Sequence, residues 1–525
     1  MNGFWALVLH SHLPYIHHPS YEYFLEEHWL FEAISETYIP LLITLRELEQ
    51  ENVYTRITVS VTPPLAEMLD NKNLNRKYLN YLDKLIELAE KEKVRTKDDP
   101  YFSPLANMYY ERFHKLKAFL QNDLHGRVLN GYREFQEKGM LCIITCGATH
   151  GFLPFMTEIA ARAQIEIACR VHQKHFGRRP EGIWLPECAY SAGIDKLLSD
   201  AGIKFFFVDS HGILYADPRP RYGTYSPVFT SNGVAAFARD YYSSKQVWSS
   251  KEGYPGDQCY RDFYRDIGYD LDMEYIAPYI SPNGERVFTG IKYHKITGES
   301  SYKEAYHHDA AMARTKDHAA HFAHEREKQT DDVAPYFDRP PLIVSPYDAE
   351  LFGHWWFEGP EFIGNIFREM QQRGHKVRPV NPLEYLHQFP MNQVVQVNPS
   401  SWGDNGFYSV WLNAGNDWIY RHLRFMAEHI TTLARKYRDT GNGDIIRGLN
   451  QMARELLLAQ ASDWAFLITT GTATSYSVQR TKEHISNFMK IYGMVEDGRF
   501  DWEFFTTTEM KNDFYPEMDF RVFAG

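Results

Sequence analysis

Positive charge is in short supply: 56 Lys and Arg stand against 68 Asp and Glu, a formal net charge of −12 over 525 residues. A chain that grips nucleic acid neutralises phosphates with a surplus of cations, so nucleic-acid partners are excluded. Cysteine is also sparse. The five residues Cys142, Cys146, Cys169, Cys188 and Cys259 are odd in number and contain no pair of CxxC units, which argues against a disulfide framework and a structural zinc site. They are expected to be reduced and mostly buried. Long apolar runs are missing too. The first, residues 4–9, is too short to span a membrane and lacks the basic flank and cleavage site of a signal peptide, so a cytoplasmic chain with no membrane partner is expected. No internal repeat or low-complexity tract occurs.

What the sequence does have is aromatic surface. Phe, Trp and Tyr make up 15% of the chain, with 11 Trp and 35 Tyr. Flat amphipathic rings stack on sugars or on bases, and the acidic balance leaves sugars as the better match. With 44% hydrophobic and 24% charged residues, the length accommodates one barrel-sized domain and a smaller one.

Short apolar runs with strand character recur at 5–9, 141–145, 182–185, 204–208 and 342–345, separated by helical stretches. This alternation predicts parallel strands joined by helices. After Pro154 the residues Ile159, Ala163, Ile167 and Val171 recur every four positions until Gly177 stops the helix. A second helix is predicted over 26–49, with Pro40 as its kink. Between 210 and 283 the pattern weakens into Gly, Pro, Ser and Tyr and reads as long loops. Helical periodicity then dominates over 420–437, 445–459 and 477–492, so a domain change is placed near Pro390.

Two strand ends carry carboxylates. GIWLPE ends in Glu187, and PLIVSPYD ends in Asp348, followed by His354, Trp355 and Trp356. Active sites of barrels and open α/β sheets are built at the carboxyl ends of their strands, and two carboxylates in an aromatic pocket suffice to cleave a glycosidic bond. Any single Glu or Asp is more often a solvated or ion-paired group; the aromatic, proline-rich surroundings raise these two above that background. His10 and His12 form an HxH at the first strand end, and His150 ends TCGATH. That spacing suits either a metal or a row of hydrogen bonds to sugar hydroxyls. His307, His308, His318, His321 and His324 lie in a helical stretch without an HExxH motif and read as a solvated face. Trp402 and Trp411 in SSWGDNGFYSVWLN, and Asp463 in ASDWAFLI, complete the notable positions.

In order, HSHLPY, CGATHG, WLPEC, SPYDAELFGHWWFEGP and ASDWAFLI resemble the five sequence regions of glycoside hydrolase family 57 over nearly the whole chain. EEHWLFEAISETYIPLL and SSWGDNGFYSVWLN resemble the family's 1,4-α-glucan branching enzymes. The resemblance implies an α/β fold, a distorted (β/α)7 barrel with a small inserted segment and a C-terminal α-helical domain. The barrel is expected over 1–390, with a loop-rich insertion at about 190–285, and the helical domain over 391–525, closing the glucan cleft. It also implies a retaining reaction on α-1,4-glucan without a cofactor, as in glycogen biosynthesis. Glu187 matches the nucleophile and Asp348 the general acid/base. His10, His12, Trp29, His150, Trp184, His354, Trp402, Trp411 and Asp463 match substrate-binding positions, and the stretch 237–257 offers Tyr241, Tyr242 and Tyr254 for a loop over the cleft. Three alternatives remain: an amylase or 4-α-glucanotransferase of the same family, a metal-dependent deacetylase or mannosidase-like enzyme using His10 and His12, and a catalytically silent glucan-binding protein.

Overall fold

The computed structural model describes residues 2–249, 252–298 and 300–525. Among the described residues nine strands form two sheets: β1 (Gly3–Ser11), β2 (Ile57–Val61), β3 (Leu141–Ile144), β8 (Leu342–Asp348) and β9 (Val377–Pro379) in one, and β4 (Gly182–Ile183), β5 (Phe205–Val208), β6 (Val228–Phe229) and β7 (Ala235–Ala238) in the other. Within the first, the order β3-β2-β1-β8 is parallel throughout; within the second, β4-β5-β7 is parallel and β6 adds an antiparallel edge. The two arcs meet at both ends. Thr145 bridges to Ile183 in parallel register, and Asp240 N–H donates to the Val344 carbonyl at 2.8 Å. Seven parallel strands thus succeed one another as β1-β2-β3-β4-β5-β7-β8.

Alternation along the strands shows why this closes into a distorted barrel. On β1, Phe4, Ala6 and Val8 join an inner cluster with Ile144, Phe205, Phe207, Phe237 and Val344, drawn from four other strands, and with Trp184 just past β4. Their neighbours Trp5, Leu7 and Leu9 pack outward against helices. Both faces are buried, so β1 reads as a continuous apolar run rather than an alternating one. The same inward parity continues to His10 and Asp348, which are register partners at the carboxyl ends of β1 and β8.

The predicted helix after Pro154 spans Glu158–Phe176 and ends on Gly177 in the left-handed conformation (φ 75°). The stretch expected over 26–49 is helical as Glu27–Ala33 and Ile39–Gln50, but Pro40 is not its irregularity. A π-helical turn, Ile34–Tyr38, lies between the two, and Pro40 follows it in the first turn of the second segment, where a missing N–H costs little. The widened turn also admits close backbone contact. A Cβ on Gly353 (φ 121°) would stand 1.8 Å from the Glu36 carbonyl oxygen, so only glycine fits there.

Residues 216–307 contain short elements only, the longest being the helix Tyr241–Trp248. The histidine-rich stretch is the helix His308–Val333 with His307 just before it; His307, His321 and His324 are exposed, as a solvated face requires, whereas His308 and His318 are half-buried. Two of them also touch the loop-rich segment: His318 and His321 lie within 2.7 Å of the Tyr260 and Tyr254 hydroxyls. Residues 394–400 still pair with the barrel through bridges to Asp217, Phe229 and Tyr190. Helices Trp418–Lys436, Gly443–Ala459, Ser462–Thr470, Thr474–Asp497 and Trp502–Lys511 follow. Among the described residues no helix is long and apolar enough to cross a membrane. The cysteines are free, and Cys259 is exposed.

Candidate active site

A cleft of about 1160 Å3 opens over the carboxyl ends of the strands, and both strand-end carboxylates, Glu187 and Asp348, line it. Glu187 sits in the turn Pro186–Cys188 after β4 with φ 61°, a left-handed conformation that a non-glycine residue adopts at a cost of about 1–3 kcal/mol. Cys188 and His150, both beside the site, share the feature. The strain turns the Glu187 carboxylate toward two donors: Trp402 Nε1–H at 2.9 Å and Ser462 Oγ–H at 2.8 Å.

The histidines form a stacked row. His10 Nε2 and His150 Nε2 share a hydrogen bond at 3.0 Å, the rings of His12 and His150 stack at 3.8 Å, and His12 Nε2 pairs with Asp463 at 3.0 Å. Burial, reinforced by the neighbouring histidines, holds His10 and His150 well below the ordinary histidine range. Burial pulls His12 down as well, but the charge and hydrogen bond of Asp463 override it and leave His12 raised. Asp463 is correspondingly lowered against its own burial. Two groups, His10–Cys146–His150 and His12–His150–Asp463, have donor atoms close enough to hold a metal ion. The imidazole nitrogens of His10 and His12 are already engaged by Ser60, His150, Thr62 and Asp463.

Both carboxylates are shifted upward, Asp348 the further. Burial lifts Glu187 above its ordinary value, opposed by the donors Trp402 and Ser462. Asp348 is lifted well above its ordinary value by burial, then by the like charges of Glu350 and Glu187. The larger lift falls on Asp348, the direction of asymmetry that a nucleophile and an acid require.

Of the remaining predicted positions, Trp29, His354, Trp402, Trp411 and Asp463 line the cleft. His354 is held by Glu36 at 2.9 Å, and Glu36 by Arg261 at 3.0 Å. Trp184 lies outside the cleft lining, in the barrel interior beneath His10 and Trp402, whose rings it meets at 5.0 Å. In the stretch 237–257, Ser250 and Lys251 lie outside the described residues. Tyr241 and Tyr242 are exposed, Tyr254 turns inward to His321, and Trp248 is the aromatic that reaches the cleft.

Four site residues escaped the sequence reading. Ser462 precedes Asp463 and donates to Glu187; Trp248 and Arg239 reach the cleft wall; Glu350 lies two residues past Asp348, accepting from His12 N–H at 3.2 Å and from the Tyr38 hydroxyl. For Glu350 a signal existed, since it is a second acid within the same strand-end motif.

Comparison with known proteins agrees with this geometry. The sequence model of glycosyl hydrolase family 57 matches residues 6–327, and a model of the C-terminal part of 1,4-alpha-glucan branching enzyme matches residues 422–523. The chain is 33% identical to a 1,4-alpha-glucan branching enzyme of Thermococcus kodakarensis, over 98% of this chain and 78% of that protein. The crystal structure of the alpha-amylase AmyC of Thermotoga maritima superposes with a TM-score of 0.94 at 45% identity, covering 100% and 99% of the two chains. The family 57-type branching enzyme of Pyrococcus horikoshii superposes at 0.88 with 32% identity, covering 100% and 97%. With the family model spanning more than half of its residues, the chain belongs to glycosyl hydrolase family 57.

Proposed function

We propose that the chain is a retaining 1,4-α-glucan branching enzyme in which Glu187 is the nucleophile and Asp348 the general acid/base. In the first step Asp348 gives its proton to the glycosidic oxygen. The Glu187 carboxylate bonds to the anomeric carbon, the bond to the leaving chain breaks, and a covalent glycosyl-enzyme forms. In the second step the Asp348 carboxylate takes the proton of a 6-hydroxyl on another glucan. That oxygen bonds to the anomeric carbon, and Glu187 leaves with the electron pair of its ester bond. The product is an α-1,6 branch.

One observation carries the reading: two carboxylates from two strand ends, Glu187 buried and Asp348 half-buried, line one aromatic cleft that is also walled by residues of the helical region 391–525. Trp402 and Ser462 hold the ionised form of Glu187, and the stacked His10–His150–His12 row lines the same cleft beside it. The region's match to a branching-enzyme C-terminal model supports assigning 391–525 as the cleft-closing domain. We place the activity in storage-glucan synthesis in the cytoplasm, with α-1,4-glucan as donor and acceptor.

A second reading is favoured by the 45% identity to an alpha-amylase: the same two carboxylates with water in place of the 6-hydroxyl. Product linkage separates the two. Incubation with linear amylose, followed by proton NMR of the anomeric region, should show α-1,6 signal that both Glu187→Gln and Asp348→Asn abolish. Shorter α-1,4 chains without that signal would establish the hydrolase instead.

A further inference from the structure

A second cavity of about 510 Å3 opens beside the cleft, and the mechanism above does not use it. The two cavities share Arg239, Trp248 and Gly403 in their walls, so they lie side by side. Arg239, just beyond β7, marks the junction. Its guanidinium pairs with Asp209 at 3.2 Å and donates to Ser244 Oγ at 2.8 Å, and the N–H of the next residue, Asp240, donates to the Val344 carbonyl on β8, the strand that ends in Asp348. The cavities thus meet on the acid/base side of the cleft. The leaving chain departs there and the attacking hydroxyl enters there, because one carboxylate handles both protons.

A 6-hydroxyl on an internal glucose imposes a demand that water does not. The acceptor glucose continues into chain on both sides, so an acceptor poised at Asp348 needs two exits. A single linear cleft provides one, in the space the leaving chain vacates. The second cavity provides another. Its volume falls within the range of roughly 300–1,000 Å3 typical of small-molecule sites. Its walls also suit a sugar: Tyr241 and Trp248, 62% and 38% exposed, line it together with the polar residues Asp209, His211 and Asn405.

We propose that this cavity, between the helix Tyr241–Trp248 and the loop Gly403–Gly406, holds one arm of the acceptor α-1,4-glucan during branching. The proposal rests on the branching reading above, and its test keeps the two separable.

Lys245 lies on the wall of the second cavity and outside the lining of the main cleft; its side chain is 48% exposed and pairs with Glu252 at 2.6 Å. Lys245→Trp fills the arm, whereas Lys245→Ala loses the same ion pair without filling it. Two rates are read: fluoride release from a maltooligosaccharyl fluoride without added acceptor, reporting the donor half-reaction, and α-1,6 bond formation on amylose by proton NMR. Lys245→Trp should lose branching by about fivefold or more while fluoride release stays within about twofold of wild type and hydrolysis takes up the difference. Lys245→Ala should retain more branching than Lys245→Trp. Wild-type branching in Lys245→Trp overturns the proposal, as does a loss of fluoride release in proportion to branching, which would assign the cavity to the donor. A wild-type enzyme that releases fluoride but forms only α-1,4 products overturns the branching reading itself, and the acceptor arm with it.

Discussion

Replacing Trp402 with Phe tests the account of Glu187 most sharply. The substitution keeps an aromatic face in the cleft but deletes the indole N–H that donates to Glu187 Oε2 at 2.9 Å. A hydrogen bond to a charged acceptor is worth about 1.5–3 kcal/mol, and one pKa unit corresponds to about 1.4 kcal/mol. Its loss should therefore raise the Glu187 pKa by roughly 1–2 units, since a bond to the charged form lowers a carboxyl and its removal releases it upward. Partial compensation by Ser462, which still donates at 2.8 Å, favours the lower figure. The assay is the pH dependence of kcat/KM for release of fluoride from a maltooligosaccharyl fluoride. Its acid limb should shift upward by about 1 pH unit, because more alkali is needed to ionise the nucleophile. The alkaline limb, set by Asp348, should stay in place. A uniform fall in rate with both limbs unmoved would refute the reasoning, showing that Trp402 acts through sugar contact alone.

Three further outcomes follow from the same geometry. Glu350→Gln removes a like charge that lifts Asp348, so the alkaline limb should move down by about half a unit or more; an unmoved limb would mean the two acids are not coupled. Asp348→Asn should stabilise the fold. The folded carboxyl is raised well above its ordinary value, so its protonation favours the fold fully below about pH 3.9 and that contribution is lost as pH rises through the folded value. At pH 7 the uncharged amide should gain about 1 kcal/mol, a rise in Tm of about 1–2 °C, and the gain should vanish near pH 4; a lowered Tm at pH 7 would contradict this. Gly353→Ala should cost roughly 3 kcal/mol or more by urea unfolding, because its Cβ would collide with the Glu36 carbonyl.

Much of this site was legible in the sequence because strand ends write themselves into it. Apolar runs that stop at a carboxylate, as in PLIVSPYD, gave both β8 and Asp348, and GIWLPE gave both β4 and Glu187. Strands without such runs went unread. β2 is ITVSV, whose Thr58 and Ser60 lie buried, and β7 is AAFA, whose alanines carry no strand preference. The π turn has no residue signature of its own; the backbone of Gly353 lies against it at Glu36. Ser462 could not be assigned from sequence, since its hydroxyl matters only through a contact 275 positions away. Trp184 shows the converse, as its motif marks it clearly while its place is beneath the site.

The central claim is that Glu187 becomes covalently bound to the glucan. In Asp348→Ala, a maltooligosaccharyl fluoride needs no acid to leave, yet the second step has lost its base, so the glycosyl-enzyme should accumulate. Mass spectrometry of the digested protein should find the glycosyl group on the peptide containing WLPEC, at Glu187. Addition of azide should release it as the α-glycosyl azide. An adduct on Glu350 or Asp463, or turnover of the fluoride with inversion and no adduct, would contradict the account.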